Sequence, residues 1–280
     1  MSTTISKEAT DRFVEVKGVK IHYNEAGQGP TLLCFHGGGP GANAWDNTKH
    51  NIDALAARFH VMLVDLPGFG ESAKEPKLGD SSLDLYYANL VRDLMDLKGI
   101  ERAHLYTSSF SGTTSLRFGI EFPERVGKIV MQASGGIPPE TLFSPYPTEG
   151  LKALAAFSED PTRENMAKVM RLFIPKKELC TEEMIDARYK AAMTPGHLAA
   201  RREFSAAKNS NVAPLLHKLK AEVLIVWGHY DRMVPFEGLL SGLARIPNVR
   251  VHIWGGGTGH FVEYEKADEF NRLVIDFLTH

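Results

Sequence analysis

Residues 103–120 read AHLYTSSFSGTTSLRFGI: an apolar run, a cluster of small hydroxyl side chains, then a helical stretch. The segment 103–108 has the length and β-rich make-up of a strand, and 110–120 follows it as a helix. Ser109 falls at the turn between them. A serine so placed lifts its hydroxyl above the end of a sheet, and the helix N-terminus behind it offers backbone N–H groups. Such an elbow usually reads G-x-S-x-G, but Thr107-Ser108-Ser109-Phe110-Ser111-Gly112 has neither flanking glycine in its expected position. Taken alone, the run fits a serine-rich helix N-cap just as well.

Outward from this segment, short apolar runs recur at 12–17, 20–25 (after a turn near Lys17–Gly18), 31–36, 59–65, 128–133, 222–228 and 250–256. Longer amphipathic stretches at 47–57, 82–98, 236–244 and 264–278 separate them. This alternation predicts an α/β fold, a mostly parallel sheet of eight strands covered by helices. In 82–98, Leu83, Tyr86, Tyr87, Leu90, Leu94 and Leu97 share one side, the mark of a helix packing on a sheet. The rhythm breaks between 137 and 215, after Gly135–Gly136–Ile137–Pro138–Pro139. Helical patterns near 147–157, 161–173, 181–192 and 197–208 replace the strands, split at Pro161, Pro175 and Pro195–Gly196. A stretch this long is no ordinary loop. It predicts a helical cap, 137–215, inserted into a core formed by 1–136 and 216–280, with the pocket between the two.

Two further positions turn the elbow into a catalytic constellation. Asp231 stands three residues after Gly228, where strand 222–228 ends, and His260 follows Gly255-Gly256-Gly257-Thr258-Gly259, just past strand 250–254. Both lie at carboxyl ends of predicted strands, where open α/β sheets place their ligands. Singly they are a turn aspartate and a loop histidine. In the order serine, aspartate, histidine they match the α/β-hydrolase fold and its triad. A serine hydroxyl is a poor nucleophile at neutral pH, so a histidine must take its proton, and a buried carboxylate fixes that histidine's tautomer. Upstream, His36-Gly37-Gly38-Gly39-Pro40-Gly41 follows strand 31–36 and brings backbone N–H groups close to a developing oxyanion, with the Phe110 N–H as partner. The run has neither the Gly-Lys-Ser/Thr ending nor the glycine spacing of a nucleotide loop. His36 and Asp65, the latter opening Asp65-Leu66-Pro67-Gly68-Phe69-Gly70-Glu71-Ser72, fit the scaffold better than the chemistry.

Composition narrows the class. Charged residues are 24% and apolar residues 43% of 280, with a formal net charge of −2. This is the balance of a globular enzyme, without the basic patch a nucleic-acid partner requires. No apolar run is long enough for a membrane partner. Residues 1–12 lack the apolar stretch of a secretory signal, and Cys34 and Cys180 stand apart, so a cytoplasmic location is expected. The eleven histidines make no H-x-x-x-H or H-E-x-x-H array, so no metal is expected. The sequence leaves a homo-oligomer open.

The combination HGGGPGANAWDNTKHNIDAL, VDLPGFGES, the strand–Ser109–helix segment, WGHYDRMVP and GGGTGHFVEYEKADEFN resembles the meta-cleavage product hydrolases, carbon–carbon bond hydrolases of bacterial aromatic and steroid-ring degradation. The resemblance runs from about residue 11 to the C-terminus and is loosest in the cap. It implies Ser109 as nucleophile, Asp231 as acid, His260 as base, and the backbone of Gly38 and Phe110 as oxyanion donors. It implies Arg188 as the group holding the dienoate carboxylate of a small-molecule substrate, Asn47 as a polar pocket residue, and Phe173 and Phe261 as aromatic wall. No cofactor is implied. Ser108 stands where the family commonly has an asparagine reaching into the polar pocket, Phe110 where it has methionine, and Phe261 where tryptophan is common. Two other functions use the same chain differently: a carboxylesterase or amidase with the same triad, and a non-catalytic small-molecule-binding homologue.

Overall fold

The computed structural model describes residues 4–75, 78–134, 146–207 and 210–280, except for the side chain of Ser205. Eight strands form one sheet: β1 (Asp11–Val16), β2 (Val19–Ala26), β3 (Thr31–Phe35), β4 (His60–Val64), β5 (Ala103–Ser108), β6 (Val126–Gln132), β7 (Glu222–Gly228) and β8 (Val249–Trp254). Their order is β1-β2-β4-β3-β5-β6-β7-β8. β2 runs antiparallel to β1 and β4, and every other pairing is parallel. Lys17 and Gly18 turn the β1–β2 hairpin with φ of 51° and 77°, the positive pair that a two-residue hairpin loop requires.

Alternate residues of the central strands feed two cores. Leu33, Phe35, Met62, Leu105, Met131 and Ile225 face one layer, while Leu32, Cys34, Leu63, Tyr106, Val130 and Leu224 face the other. That period of two, buried on both faces, is why these strands read as unbroken apolar runs. β3 pairs with β4 on one side and β5 on the other. The chain therefore changes direction across the sheet at β3, and the loops after β3 and β5 open side by side at a topological switch point.

The helices of nine or more residues are α1 (Leu83–Leu97), α2 (Gly112–Glu121), α3 (Glu149–Glu159), α4 (Arg163–Phe173), α5 (Glu182–Ala192), α6 (His197–Ala206), α7 (Glu237–Arg245) and α8 (Ala267–Thr279). On α1 the buried arc is rotated from the expected one. Val91 and Met95 are buried with Tyr87 and Leu94, and Leu97 is left 57% exposed at its margin. The helix expected at 47–57 is two short ones, Ala44–Thr48 and Ile52–Ala56, interrupted at Asn51. The Asn51 amide donates to the Glu263 carbonyl and the Asn271 side chain, each at 2.9 Å. Likewise 264–278 begins earlier, as a turn Val262–Glu265, and breaks at Lys266 before α8.

α3 to α6 all lie between β6 and β7, and no strand occurs there among the described residues. Thr148, Thr162 and Thr181 cap α3, α4 and α5, each hydroxyl accepting a backbone N–H, worth about 1 kcal/mol apiece. These helices share an apolar cluster including Phe157, Met166, Met170, Phe173 and Ile185. α6 differs, because its Ala200 and Phe204 join the main core. The boundary expected at 136/137 lies outside the described residues. None of the described helices is long and apolar enough to cross a membrane.

Asp65, at the end of β4, organises the turn below the site. Its carboxylate accepts from Ala44 N at 2.7 Å, Glu71 N at 2.9 Å and His22 Nδ1 at 2.7 Å. His22 Nε2 meets Asp11 Oδ1 at 2.6 Å. Burial opposes a charge on His22, but bonds to Asp65 and Asp11 outweigh it and raise its pKa.

Candidate active site

At the end of β5 the backbone turns sharply, and Ser109 takes φ of +52°, a left-handed conformation rare and costly for a residue with a Cβ. The neighbouring serines hold it there. Ser111 Oγ bonds Ser108 N at 3.1 Å, Ser108 O at 3.0 Å and Phe35 O at 3.1 Å, tying the elbow to itself and to β3. The Ser111 hydroxyl thus ties down an elbow that lacks the usual glycines.

The buried Ser108 hydroxyl bonds Gln132 Oε1 at the end of β6, and Gln132 Nε2 donates to the His260 carbonyl. The Ser108 side chain is therefore directed at Gln132, and through it the elbow is coupled to the histidine loop. His260 Nδ1 lies 2.7 Å from Asp231 Oδ2, with both side chains at most 1% exposed. Asp231 Oδ1 in turn accepts from Met233 N at 2.7 Å and Val234 N at 3.1 Å, so the carboxylate cannot swing away. The other ring nitrogen, His260 Nε2, is buried and has no partner among the described residues. A polar atom left so is rare and costly, and the Ser109 hydroxyl does not bond it.

The glycine loop after β3 passes directly over the elbow. A Cβ on Gly37 would sit 3.4 Å from Ser109 Cβ, and one on Gly38 only 2.7 Å from Phe110 Cβ. Glycine at 38 allows this approach, which sets the loop against the Phe110 side chain. His36 is spent on structure: Nδ1 donates to Gly37 O at 2.8 Å and Nε2 accepts Leu66 N at 3.0 Å.

Beside the loop lies a cavity of about 340 Å³ whose walls include Asn47, Met170, Arg188, Phe261, Glu263 and Tyr264. Phe173 and Phe261 stack at 4.6 Å, and Phe173 lies 5.2 Å from the His260 ring. Asn47 Oδ1 accepts Gly37 N, and its Nδ2 donates to Glu263 Oε1, both at 3.3 Å. Burial pushes the Glu263 carboxyl well above its ordinary pKa. Arg188 reaches from α5 toward Gly39, whose Cβ would lie 3.1 Å from its Nη2. Its Nε has no partner among the described residues, and burial lowers the guanidinium pKa to about 10, with Asp46 only partly offsetting this. An under-neutralised guanidinium lining a cavity is suited to a carboxylate.

Gln132, Glu263, His197 and Arg201 form part of this site and were not singled out from sequence. Gln132 carried one signal, a polar residue at the carboxyl end of an otherwise apolar parallel strand. His197 and Arg201, four apart on α6, contact the glycine loop: Gly41 N donates to His197 Nε2 at 2.9 Å, and Arg201 Nη1 donates to Gly38 O.

Residues 30–267 match the family described as alpha/beta hydrolase fold. The chain is 38% identical to 2-hydroxy-6-oxo-6-phenylhexa-2,4-dienoate hydrolase of Comamonas testosteroni, an alignment covering 99% of each protein. It is 36% identical to 2-hydroxy-6-oxononadienedioate/2-hydroxy-6-oxononatrienedioate hydrolase of a Pseudomonas species, again over 99% of each. Among solved structures, the meta-cleavage product hydrolase CumD of Pseudomonas fluorescens superposes with a TM-score of 0.83 at 28% identity, covering 96% of this chain and 97% of that one.

Proposed function

The chain belongs to the meta-cleavage product hydrolases of the α/β-hydrolase superfamily, and from that membership we propose that it hydrolyses a carbon–carbon bond in a 2-hydroxy-6-oxo-dienoate. Ser109, Asp231 and His260 are the triad, and the backbone N–H groups of Gly38 and Phe110 receive the oxyanion. The insertion containing α3 to α6 is the cap, and the cavity lined by Arg188, Asn47 and Phe261 takes the dienoate end.

The substrate carboxylate pairs with Arg188. The proton on the 2-hydroxyl moves to C5, giving the 2-oxo tautomer, an electron sink conjugated to the bond to be cut. Ser109 Oγ attacks the C6 carbonyl and passes its proton to His260 Nε2, while the new oxyanion accepts from Gly38 and Phe110. The C5–C6 bond breaks, its electron pair enters the 2-oxo system, and the dienoate leaves after protonation. Water, deprotonated by His260, then attacks the acyl-serine and releases a carboxylic acid. Holding the carboxylate and the distant carbonyl at once fixes the reactive geometry.

The observation that carries this proposal is Arg188, a guanidinium without a carboxylate bonded to it among the described residues, lining a cavity beside Asn47 and Phe261. Ester hydrolysis has no general need for such a group. The test is the loss of yellow dienolate absorbance in a panel containing a 6-phenyl dienoate and a dienedioate, run beside short p-nitrophenyl esters. Rapid ester cleavage with every dienoate untouched would overturn it in favour of an esterase.

A further inference from the structure

We propose that His197 and Arg201 on α6 are positioning residues that set the oxyanion loop, so that half of the oxyanion hole is held by the cap. The inference rests on Gly38 being an oxyanion donor. Residues 37–41 contain four glycines, and such a run has little intrinsic preference for one backbone conformation. Something outside it must choose one.

The core supplies ties near the start of the loop: Gly37 N donates to Asn47 Oδ1, and Gly37 O accepts His36 Nδ1. The tie at Gly38 O comes from Arg201 and that at Gly41 N from His197. Gly38 therefore sits between two held peptide planes, one fixed by His36 through Gly37 O and the other by Arg201 through its own carbonyl. In a trans peptide the N–H points opposite to the carbonyl before it, so fixing Gly37 O aims the Gly38 N–H. Fixing Gly38 O keeps the following plane from rotating beneath it.

α6 is anchored for this task. Phe204, seven residues beyond His197 and on the same helical face, stacks on Phe69 at 5.4 Å and Tyr87 at 6.0 Å. His197 is 1% exposed and accepts the Gly41 N–H, which requires the neutral ring with its proton on Nδ1. Burial and the nearby charges of Arg201, Lys74 and Arg188 push its pKa down to about 3, keeping that form throughout the working range. Arg201 is spent on a carbonyl, with no carboxylate bonded to it among the described residues.

The test compares Arg201→Gln, Arg201→Lys, His197→Ala and His197→Gln on a p-nitrophenyl ester and on a dienoate. A second readout is the rate at which a p-nitrophenyl phosphonate labels Ser109, which also requires the oxyanion donors. The expected result is a kcat and a labelling rate about tenfold or more lower for Arg201→Gln and His197→Ala, with KM within about twofold. Arg201→Lys, which keeps a donor nearer to the arginine's reach than glutamine does, and His197→Gln, whose Oε1 replaces the Nε2 acceptor, recover most of the loss. If Arg201→Gln instead raises KM for the dienoate alone and leaves kcat and labelling unchanged, Arg201 is a second carboxylate anchor and the proposal is wrong. Unchanged kinetics on every substrate also overturn it, as does failure of the restoring variants while their melting temperatures stay normal. Wild-type protein that cleaves the ester but no dienoate defeats the carbon–carbon assignment and leaves the ester and labelling arms to decide this one.

Discussion

Replacing Arg188 by glutamine should stabilise the free protein while removing its dienoate activity. Burial lowers the Arg188 pKa from the ordinary guanidinium range to about 10. A displacement of more than two powers of ten in proton affinity, at about 1.4 kcal/mol each, amounts to roughly 3 kcal/mol. Because the folded-state pKa is the lower one, the charged form costs stability at every pH below about 10, so the penalty is constant from pH 6 to 9. Glutamine keeps much of the stem and drops the charge. With roughly 1–3 kcal/mol recovered, and about 2 °C per kcal/mol for a chain of this size, the melting temperature should rise about 2–6 °C. A carboxylate product at a hundred times its Kd should stabilise the wild type by about 2.7 kcal/mol, or roughly 5 °C, and the variant far less. Dienoate turnover should fall at least tenfold, since truncating one member of a buried charge pair costs roughly 2–5 kcal/mol. Scanning fluorimetry with and without ligand, beside dienolate absorbance, reads all of this. A variant that melts below the wild type and still responds fully to the carboxylate would refute the reasoning.

Ser109→Ala should lower kcat by roughly 10³-fold or more with the fold intact; near-normal turnover in a protein with unchanged circular dichroism would displace Ser109 as nucleophile. Gly38→Ala puts a Cβ 2.7 Å from Phe110 Cβ, so it should cost about 10²-fold in kcat and, through the overlap, roughly 1–3 kcal/mol of stability, and an unimpaired kcat would separate Gly38 from the oxyanion hole. His22 has a raised folded-state pKa, so its stabilising contribution is complete below its ordinary 6.5 and fades as pH climbs through the raised value. The gap in melting temperature between wild type and His22→Gln should therefore narrow from pH 6 to 9, and a constant gap would show that the Asp11–His22–Asp65 charge network contributes nothing.

The sheet was legible because its central strands are buried on both faces and so appear as apolar runs. Asp231 and His260 could be placed because each follows such a run at its carboxyl end. Helix breaks were not legible at Asn51, whose amide goes to partners more than two hundred residues away. The elbow was only half legible: its form is enforced by the Ser111 hydroxyl rather than by glycines, and the bond from Ser111 to Phe35 O joins residues 76 apart. Arg201 left no trace at all. An arginine on an amphipathic helix has the look of a solvated one, and its partner here is a backbone carbonyl, which has no side-chain identity to betray it. Gln132 sits at one strand end, and its importance comes from touching Ser108 and His260, which meet only in three dimensions.

The His260 N–H donates to the carbonyl of Phe173, the last residue of α4, at 3.0 Å. The helical insertion thus supports the main chain of the histidine loop, as well as roofing the cavity. A hinge that swung the insertion clear of the sheet would take that carbonyl with it and dismantle the machinery each time the door opened. Thr181 and Glu183 of the insertion line the cavity together with Lys49 and His50 of the core, so the cavity wall is shared across that same seam. The framework around His260 is thus complete only while the insertion stays seated on the sheet.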